Sequence, residues 1–294
     1  RLTFSGNTSV LIPHGALFVS DSVDFDLNPG SDLAVTMHIS KAPKKTTGHR
    51  SARGEAAFIQ SGNVITEKEL PISVANKCWY YLCGVDVLAP ESAASVVCLG
   101  DSITDGKGST EGQNRRWPDY LARRLLANPE TANIGVLNQG IGGNCLWSGG
   151  IGQPVIVRLE RDVLAQTAAR WIILHEGIND LGGGHTSAES IITSLQQIIV
   201  RSKACGIMVY GSTILPCGES FYFNAGLEEK RQKINDWIRS SGAFDAVIDW
   251  DAILRDPQNP SKLRQEADSG DHLHLSDEGY RMMAEALDLK WFTN

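Results

Sequence analysis

From residue 96 onward, short apolar runs alternate with longer stretches in which apolar residues recur at helical spacing. This alternation constrains the fold more than any other feature. The runs lie at 96–99, 134–137, 171–174, 207–210 and 246–248. Short and almost wholly apolar, they read as strands buried on both faces. The spacing predicts helices over about 117–128, 157–167, 186–204, 226–241 and 277–288. Gly206 and Gly242 stand where two of these helices should stop, because glycine accepts the left-handed conformation that ends a helix. Strands each followed by a helix imply a parallel sheet covered on both faces. In such a sheet, function gathers in the loops beyond the carboxyl ends of the strands.

The first 90 residues read as all-β. Apolar or alternating runs at 10–13, 17–19, 33–39, 79–82 and 85–87 are separated by turn formers such as Asn28-Pro29-Gly30-Ser31-Asp32. Lys41, Lys44, Lys45, Arg50 and Arg53 sit among Thr, Gly and Pro, a pattern that reads as a solvated loop, with contact to an acidic ligand as the lesser reading. The segment 90–95 reads as a linker, so two domains are expected, 1–92 and 93–294.

A net charge of −7 argues against a nucleic-acid partner, which calls for a basic face. No apolar run approaches the roughly 20 residues that cross a bilayer, so no membrane partner is expected. No signal peptide is visible at Arg1-Leu2-Thr3-Phe4, but without an initiator Met the start reads as trimmed. The cysteines Cys78, Cys83, Cys98, Cys145, Cys205 and Cys217 lack C-x-x-C spacing and lean the reading toward free thiols and a cytoplasmic setting. Asn7-Thr8-Ser9 fits a glycosylation sequon, a tripeptide common by chance.

Four of the post-strand loops carry chemistry-bearing residues. They are Gly100-Asp101-Ser102, then Asn138-Gln139-Gly140-Ile141-Gly142-Gly143-Asn144, then Glu176-Gly177-Ile178-Asn179-Asp180, and last Asp271-His272-Leu273-His274-Leu275. A serine hydrolase needs a hydroxyl, a base for its proton, a carboxylate to orient that base, and donors for the oxyanion. Ser102 can supply the hydroxyl, His274 the base and Asp271 the carboxylate. Ser102, Gly143 and Asn179 can supply the donors. Asp101 reads as a turn cap. His272 competes with His274, and the Asp271-x-x-His274 spacing before a helix favours the latter. His14, His38, His49 and His185 read as surface or loop residues. His175-Glu176 opens like a zinc-protease motif, but Asn179 stands where a second histidine would be needed. No third ligand joins His272 and His274, so no metal is expected. Cys145 breaks a dinucleotide loop at 140–145, a phosphate loop at 100–108 misses its spacing, and no Gly-x-Ser-x-Gly elbow is present.

The four blocks resemble the GDSL lipase/esterase family, also called the SGNH hydrolases. Gly100–Ser102, Gly143, Gly177–Asp180 and Asp271–His274 follow its order and spacing over 95–290, with Ile103 where leucine is usual. The resemblance implies a flavodoxin-like three-layer α/β/α domain with a five-stranded parallel sheet over 93–294. It also implies hydrolysis of carboxylic esters without metal or cofactor. Residues 1–92 resemble the β-rich, jelly-roll-like accessory domain that precedes some of these esterases. On that resemblance the chain starts inside its β-domain or completes it with another chain; a homo-oligomer is a separate expectation.

The expected activity is a serine esterase working through an acyl-enzyme on short acyl groups such as acetyl on carbohydrate. A longer-chain lipase or thioesterase, acyl transfer to an alcohol, and an inactive carbohydrate-binding protein are the alternatives. Trp147, Ile151 and the segment 216–223 either line an acyl pocket or pack the loops. Asn114, Arg115 and Arg116, just before a helix, either cap it or bind substrate.

Overall fold

The computed structural model describes residues 1–50, 52 and 57–293. Arg53, the last of the basic residues named above, lies outside the described residues. Two compact units divide the chain, Arg1–Met37 and His38–Asn294.

In the first unit, the Asp21 carboxylate gathers the chain around itself. It accepts from the Thr3 hydroxyl at 2.6 Å and from the Ser5 and Gly6 backbone N–H groups at 2.9 and 2.8 Å. The hydroxyl of Thr3 contributes most to holding the Asp21 carboxyl below the ordinary carboxylate range. Phe4 and Asn7 form an isolated bridge. The strands expected at 10–13, 17–19 and 33–39 do not form. Leu11 is 90% exposed and Val19 82%. With no neighbouring ladder to take their N–H and C=O groups, these runs lack what makes an apolar segment a strand.

The second unit begins with two small antiparallel ladders. β1 (Gly48–His49) pairs with β4 (Trp79–Tyr80), and β2 (Ala57–Ile59) pairs with β3 (Val74–Asn76). Of the runs expected as strands here, 79–82 is one over Trp79–Tyr80, and 85–87 is not. Lys41, Lys44, Lys45 and Arg50 are exposed.

From β5 (Ala94–Gly100) the pattern changes. β5 leads into α1 (Ser102–Asp105), then α2 (Trp117–Ala127) and β6 (Ile134–Gly140). α3 (Val155–Leu159) continues as a wider π-type turn over Glu160–Leu164. β7 (Ala169–His175), α4 (Ile178–Gly182), α5 (Ala188–Ala204), β8 (Met208–Ser212), α6 (Ala225–Ser240), β9 (Ala246–Ile248), α7 (Trp250–Leu254) and α8 (Asp277–Glu285) follow, and a 3-10 turn over Leu289–Phe292 completes the order. The five strands form one parallel sheet in the order β6-β5-β7-β8-β9. The expected strands and helices are thus present within a few residues of their expected ends. Gly206 and Gly242 take positive φ, 75° and 63°, beyond α5 and α6.

β5 and β7 are sandwiched. Val96, Val97, Cys98 and Leu99 are fully buried, as are Ile172 and Ile173. Helices on each face remove both sides of these strands from water, at a gain of roughly 1.5–3 kcal/mol per large side chain. Two Trp rings, Trp117 and Trp250, meet edge to face with centroids 5.1 Å apart. All six cysteines are free thiols. No helix among the described residues is long and apolar enough to cross a membrane.

Candidate active site

The carboxyl ends of β5, β6 and β7 lie side by side, and the site is built there. Gly100 ends β5 where a Cβ would sit 2.3 Å from both the His175 carbonyl and the Thr104 hydroxyl. Only glycine therefore lets β5 turn into α1 so close to β7. Asp101 accepts from the Ile103 N–H at 2.8 Å, and the Gly106 and Lys107 N–H groups close on the Ser102 carbonyl at 2.9 and 2.8 Å. Asp101 acts as the cap read from the sequence. Ser102 is the first residue of α1 and is 6% exposed.

The fourth loop meets it from the far end of the chain. His274 Nε2 lies 2.8 Å from Ser102 Oγ. His274 Nδ1 lies 2.7 Å from Asp271 Oδ2, and the same carboxylate accepts from the Leu273 and His274 N–H groups at 3.1 and 2.8 Å. With Nδ1 donating to Asp271, Nε2 is left to accept from the Ser102 hydroxyl. Burial alone would raise the Asp271 carboxyl, but the backbone and ring donors of His274 outweigh it and hold it at about 2. The loop is pinned by Ser269 N–H to the His274 carbonyl at 3.0 Å and Ser276 N–H to the Ala267 carbonyl at 2.8 Å. His272, the rival imidazole, turns to Asp268 instead, at 2.6 Å.

The expected oxyanion donors come from three loops. The N–H groups of Ser102 and Gly143 have no acceptor among the described residues. Gly143 adopts φ +76°, and the loop doubles back so that the Ile151 N–H bonds the Gly143 carbonyl at 2.8 Å. Asn179 donates through Nδ2 to the Asn144 carbonyl at 2.8 Å and, at 3.4 Å, to the Asp101 carboxylate, a long bond that an oxyanion would replace, and it accepts at Oδ1 from the Tyr222 hydroxyl at 3.1 Å. These three bonds fix which way the amide faces. Asp180, next in the chain, accepts from the Leu146 and Trp147 N–H groups at 2.7 and 2.9 Å and so ties the second loop to the third.

Beneath the donors lies a buried acidic cluster. Burial pushes Asp101 up to about 6 against the pull of a hydrogen bond with Glu176. Burial, reinforced by the nearby Asp101 carboxyl, pushes Glu176 well above the carboxylate range. His175 is held neutral: burial drives its pKa down to about 3, and Nδ1 donates to Ser212 at 2.7 Å.

Of the other residues singled out, Arg116 stands at the N-cap of α2, where its backbone N–H donates to the Asp119 carboxylate at 2.9 Å and its guanidinium donates to Asp119 at 2.6 Å and to Asn114 at 2.9 Å. Arg115 bonds Asp277 at 2.9 Å. Trp147 and Ile151 are 44% and 46% exposed. Ile151 leans on Gly143, where an added Cβ would meet its Cδ1 at 3.0 Å. His49 is not a loose surface residue; its Nε2 bonds Asp105 of α1 at 2.9 Å. Three residues that organise the site escaped sequence reasoning in this role: Asn144, Tyr222 and Arg158. Arg158, four residues before Asp162 on an amphipathic stretch, carries the signature of an exposed helical ion pair, yet its side chain is wholly buried.

The model of the GDSL-like Lipase/Acylhydrolase family matches residues 98–282. Comparison with curated proteins finds no match. A member of the lipolytic protein G-D-S-L family from Veillonella parvula DSM 2008 is 21% identical, with a TM-score of 0.51, 69% of this chain and 100% of that chain being covered. The acetyl xylan esterase AlAXEase is 23% identical, with a TM-score of 0.50 and coverages of 67% and 98%. The lipase/acylhydrolase from Enterococcus faecalis is 20% identical, with a TM-score of 0.52 and coverages of 66% and 92%. At these identities the structures speak for the shared fold; the family match carries the classification. With well over half its length matched, and with the hydroxyl, imidazole and carboxylate in line, the chain belongs to the GDSL-like lipase/acylhydrolase family of ester-hydrolysing enzymes.

Proposed function

We propose that the enzyme is a serine esterase that works through an acyl-enzyme, with Ser102 as nucleophile, His274 as general base and acid, and Asp271 orienting the ring. The observation that carries the reading is the 2.8 Å approach of Ser102 Oγ to His274 Nε2, continued at 2.7 Å to Asp271. Ser102 Oγ attacks the ester carbonyl as its proton passes to His274 Nε2. The oxyanion is met by the N–H groups of Ser102 and Gly143 and by Asn179 Nδ2. Collapse breaks the ester C–O bond, and His274 gives its proton to the departing alcohol. Water then enters, loses a proton to His274, and releases the acid in the reverse sequence.

The natural ester is read as a short acyl group, such as acetyl, on a carbohydrate. Two features support this. Ile151 presses on Gly143 and restricts space beside an oxyanion donor. Phe221 and Trp147, 74% and 44% exposed, are aromatic residues of the kind that sugars stack on. The same reading takes 93–294 as the catalytic domain and 1–92 as an accessory segment, in keeping with a family match that begins at residue 98.

Initial rates on p-nitrophenyl acetate and octanoate, with acetate release from acetylated xylo-oligosaccharides, test the substrate class. Acetyl esters are expected to be cleaved at least about tenfold faster in kcat/KM than octanoyl esters, a margin that a few unaccommodated methylenes supply. A preference for octanoate would favour the longer-chain reading instead.

A further inference from the structure

We propose that Arg158 is a positioning residue for the oxyanion site, its guanidinium holding in one register the loops that supply the donors. The inference rests on the esterase reading above.

Arg158 lies in α3, fully buried. Its side chain points to the ends of the strands rather than to solvent. Nη2 donates to the Gly100 carbonyl at 3.0 Å, two residues before Ser102. Nη1 donates to the Gln139 carbonyl at 2.9 Å, at the end of β6 and four residues before Gly143. Nε donates to Asn144 Oδ1 at 3.0 Å, immediately after Gly143. Asn144 in turn offers its own carbonyl to Asn179 Nδ2 at 2.8 Å. One planar group therefore reaches the first and second donor loops directly and the third through a single residue.

Asp162 anchors the fork from the other side, accepting from Nη1 at 2.9 Å. A buried guanidinium is costly unless each donor is paired. Here the pairs are loop carbonyls and a loop amide, which a purely packing role would not require. The rigid fork sets the angles between its partners, something a lysine ammonium does not do. The charge of the same cation pulls the buried Asp101 and Glu176 carboxyls downward, against the larger upward push of burial.

Donors placed for the oxyanion act in the transition state and little in the ground state. Loosening Arg158 should therefore lower kcat and spare KM. A misplacement of the order of 1 Å costs roughly 10²-fold in rate.

The test compares Arg158→Lys, Arg158→Met, Asp162→Asn and Ser102→Ala in the full chain, using p-nitrophenyl acetate kinetics, a trifluoromethyl ketone transition-state analogue and thermal unfolding. Arg158→Lys is expected to lose about 10–100-fold in kcat, with KM within about twofold. Its inhibition constant for the ketone should rise by the same factor as kcat falls. Arg158→Met should be slower still, so that lysine is a partial rescue. If neither Arg158 variant folds, Asp162→Asn decides: a lower kcat at unchanged KM supports the assignment and an unchanged kcat overturns it. A folded Arg158→Lys with wild-type kcat, beside a dead Ser102→Ala, overturns the Arg158 assignment alone. Turnover retained in Ser102→Ala overturns the esterase reading and this inference with it.

Discussion

The first 37 residues and the sheet domain both contain short apolar runs, and their fates are opposite. Val97, Leu99 and Ile172 are fully buried, whereas Leu11 and Val19 are 90% and 82% exposed. The chain between the runs makes the difference. Beyond residue 94 each run is followed by a helix that carries the chain back, so the next run lies parallel beside an earlier one and both faces are covered. In Arg1–Met37 the connections hold no helix, and a side-chain knot around Asp21 stands in for a ladder. An apolar run is an opportunity to become a strand; the connection decides whether it does. Because ligands gather where a parallel sheet's loops converge, only the second arrangement can bring residues as distant as 102 and 274 together.

If the connections between runs decide function, the two regions respond very differently to substitution. The largest contrast is expected at His274→Ala, which should lower kcat/KM on the order of 10⁵-fold, while Val19→Ala leaves it within about twofold. Steady-state kinetics on p-nitrophenyl acetate measures both, and a modest loss at His274 would undo the contrast. Next comes Asn179→Ala, for which a fall of about 10²–10³ in kcat is expected from loss of one oxyanion donor. A change confined to KM would show that Asn179 binds ground state and transition state equally.

On stability, Ile172→Ala in β7 should cost about 2–5 kcal/mol in denaturant unfolding, the usual penalty for emptying a buried site. Leu11→Ala should fall within about 0.5 kcal/mol of wild type. Comparable losses would mean that the first region is packed as the second is. The smallest effect expected is in pH dependence. Asp271 sits at about 2 in the folded protein against an ordinary 3.8. A depressed carboxylate stabilises fully above its unfolded pKa, and the contribution fades as pH falls toward the folded value. The Tm advantage of wild type over Asp271→Asn should therefore narrow from pH 4 down to about 2. Asp21→Asn in the first region should leave activity unchanged across the same range, and a drop in kcat would couple that knot to the site.

Much of the sheet domain was legible because periodicity reports burial, and burial on two faces leaves little else a short apolar run can be. The four site loops were legible because polar residues and glycines clustered at the ends of those runs. α1, α4 and α7 were not, since helices of four or five residues are too short to express a 3.6-residue repeat. The strands expected at 10–13, 17–19 and 33–39 failed for the reason given above: alternation says which residues would face a core, not whether one is there. Arg158 was illegible because its meaning lies in partners at 100, 139 and 144, none of which its own neighbourhood in the chain foretells. The sequence places Tyr222 in a segment that either lines a pocket or packs the loops, whereas its hydroxyl helps fix the amide of Asn179.

Treatment with a fluorophosphonate, followed by intact-mass and peptide mapping, reads out whether His274 activates Ser102, because such reagents react with a serine that a neighbouring base has activated. One adduct per chain on Ser102, forming in step with loss of esterase activity and absent from His274→Ala, is the predicted result. Full inactivation with Ser102 unmodified, or undiminished turnover with Ser102 fully labelled, would contradict it.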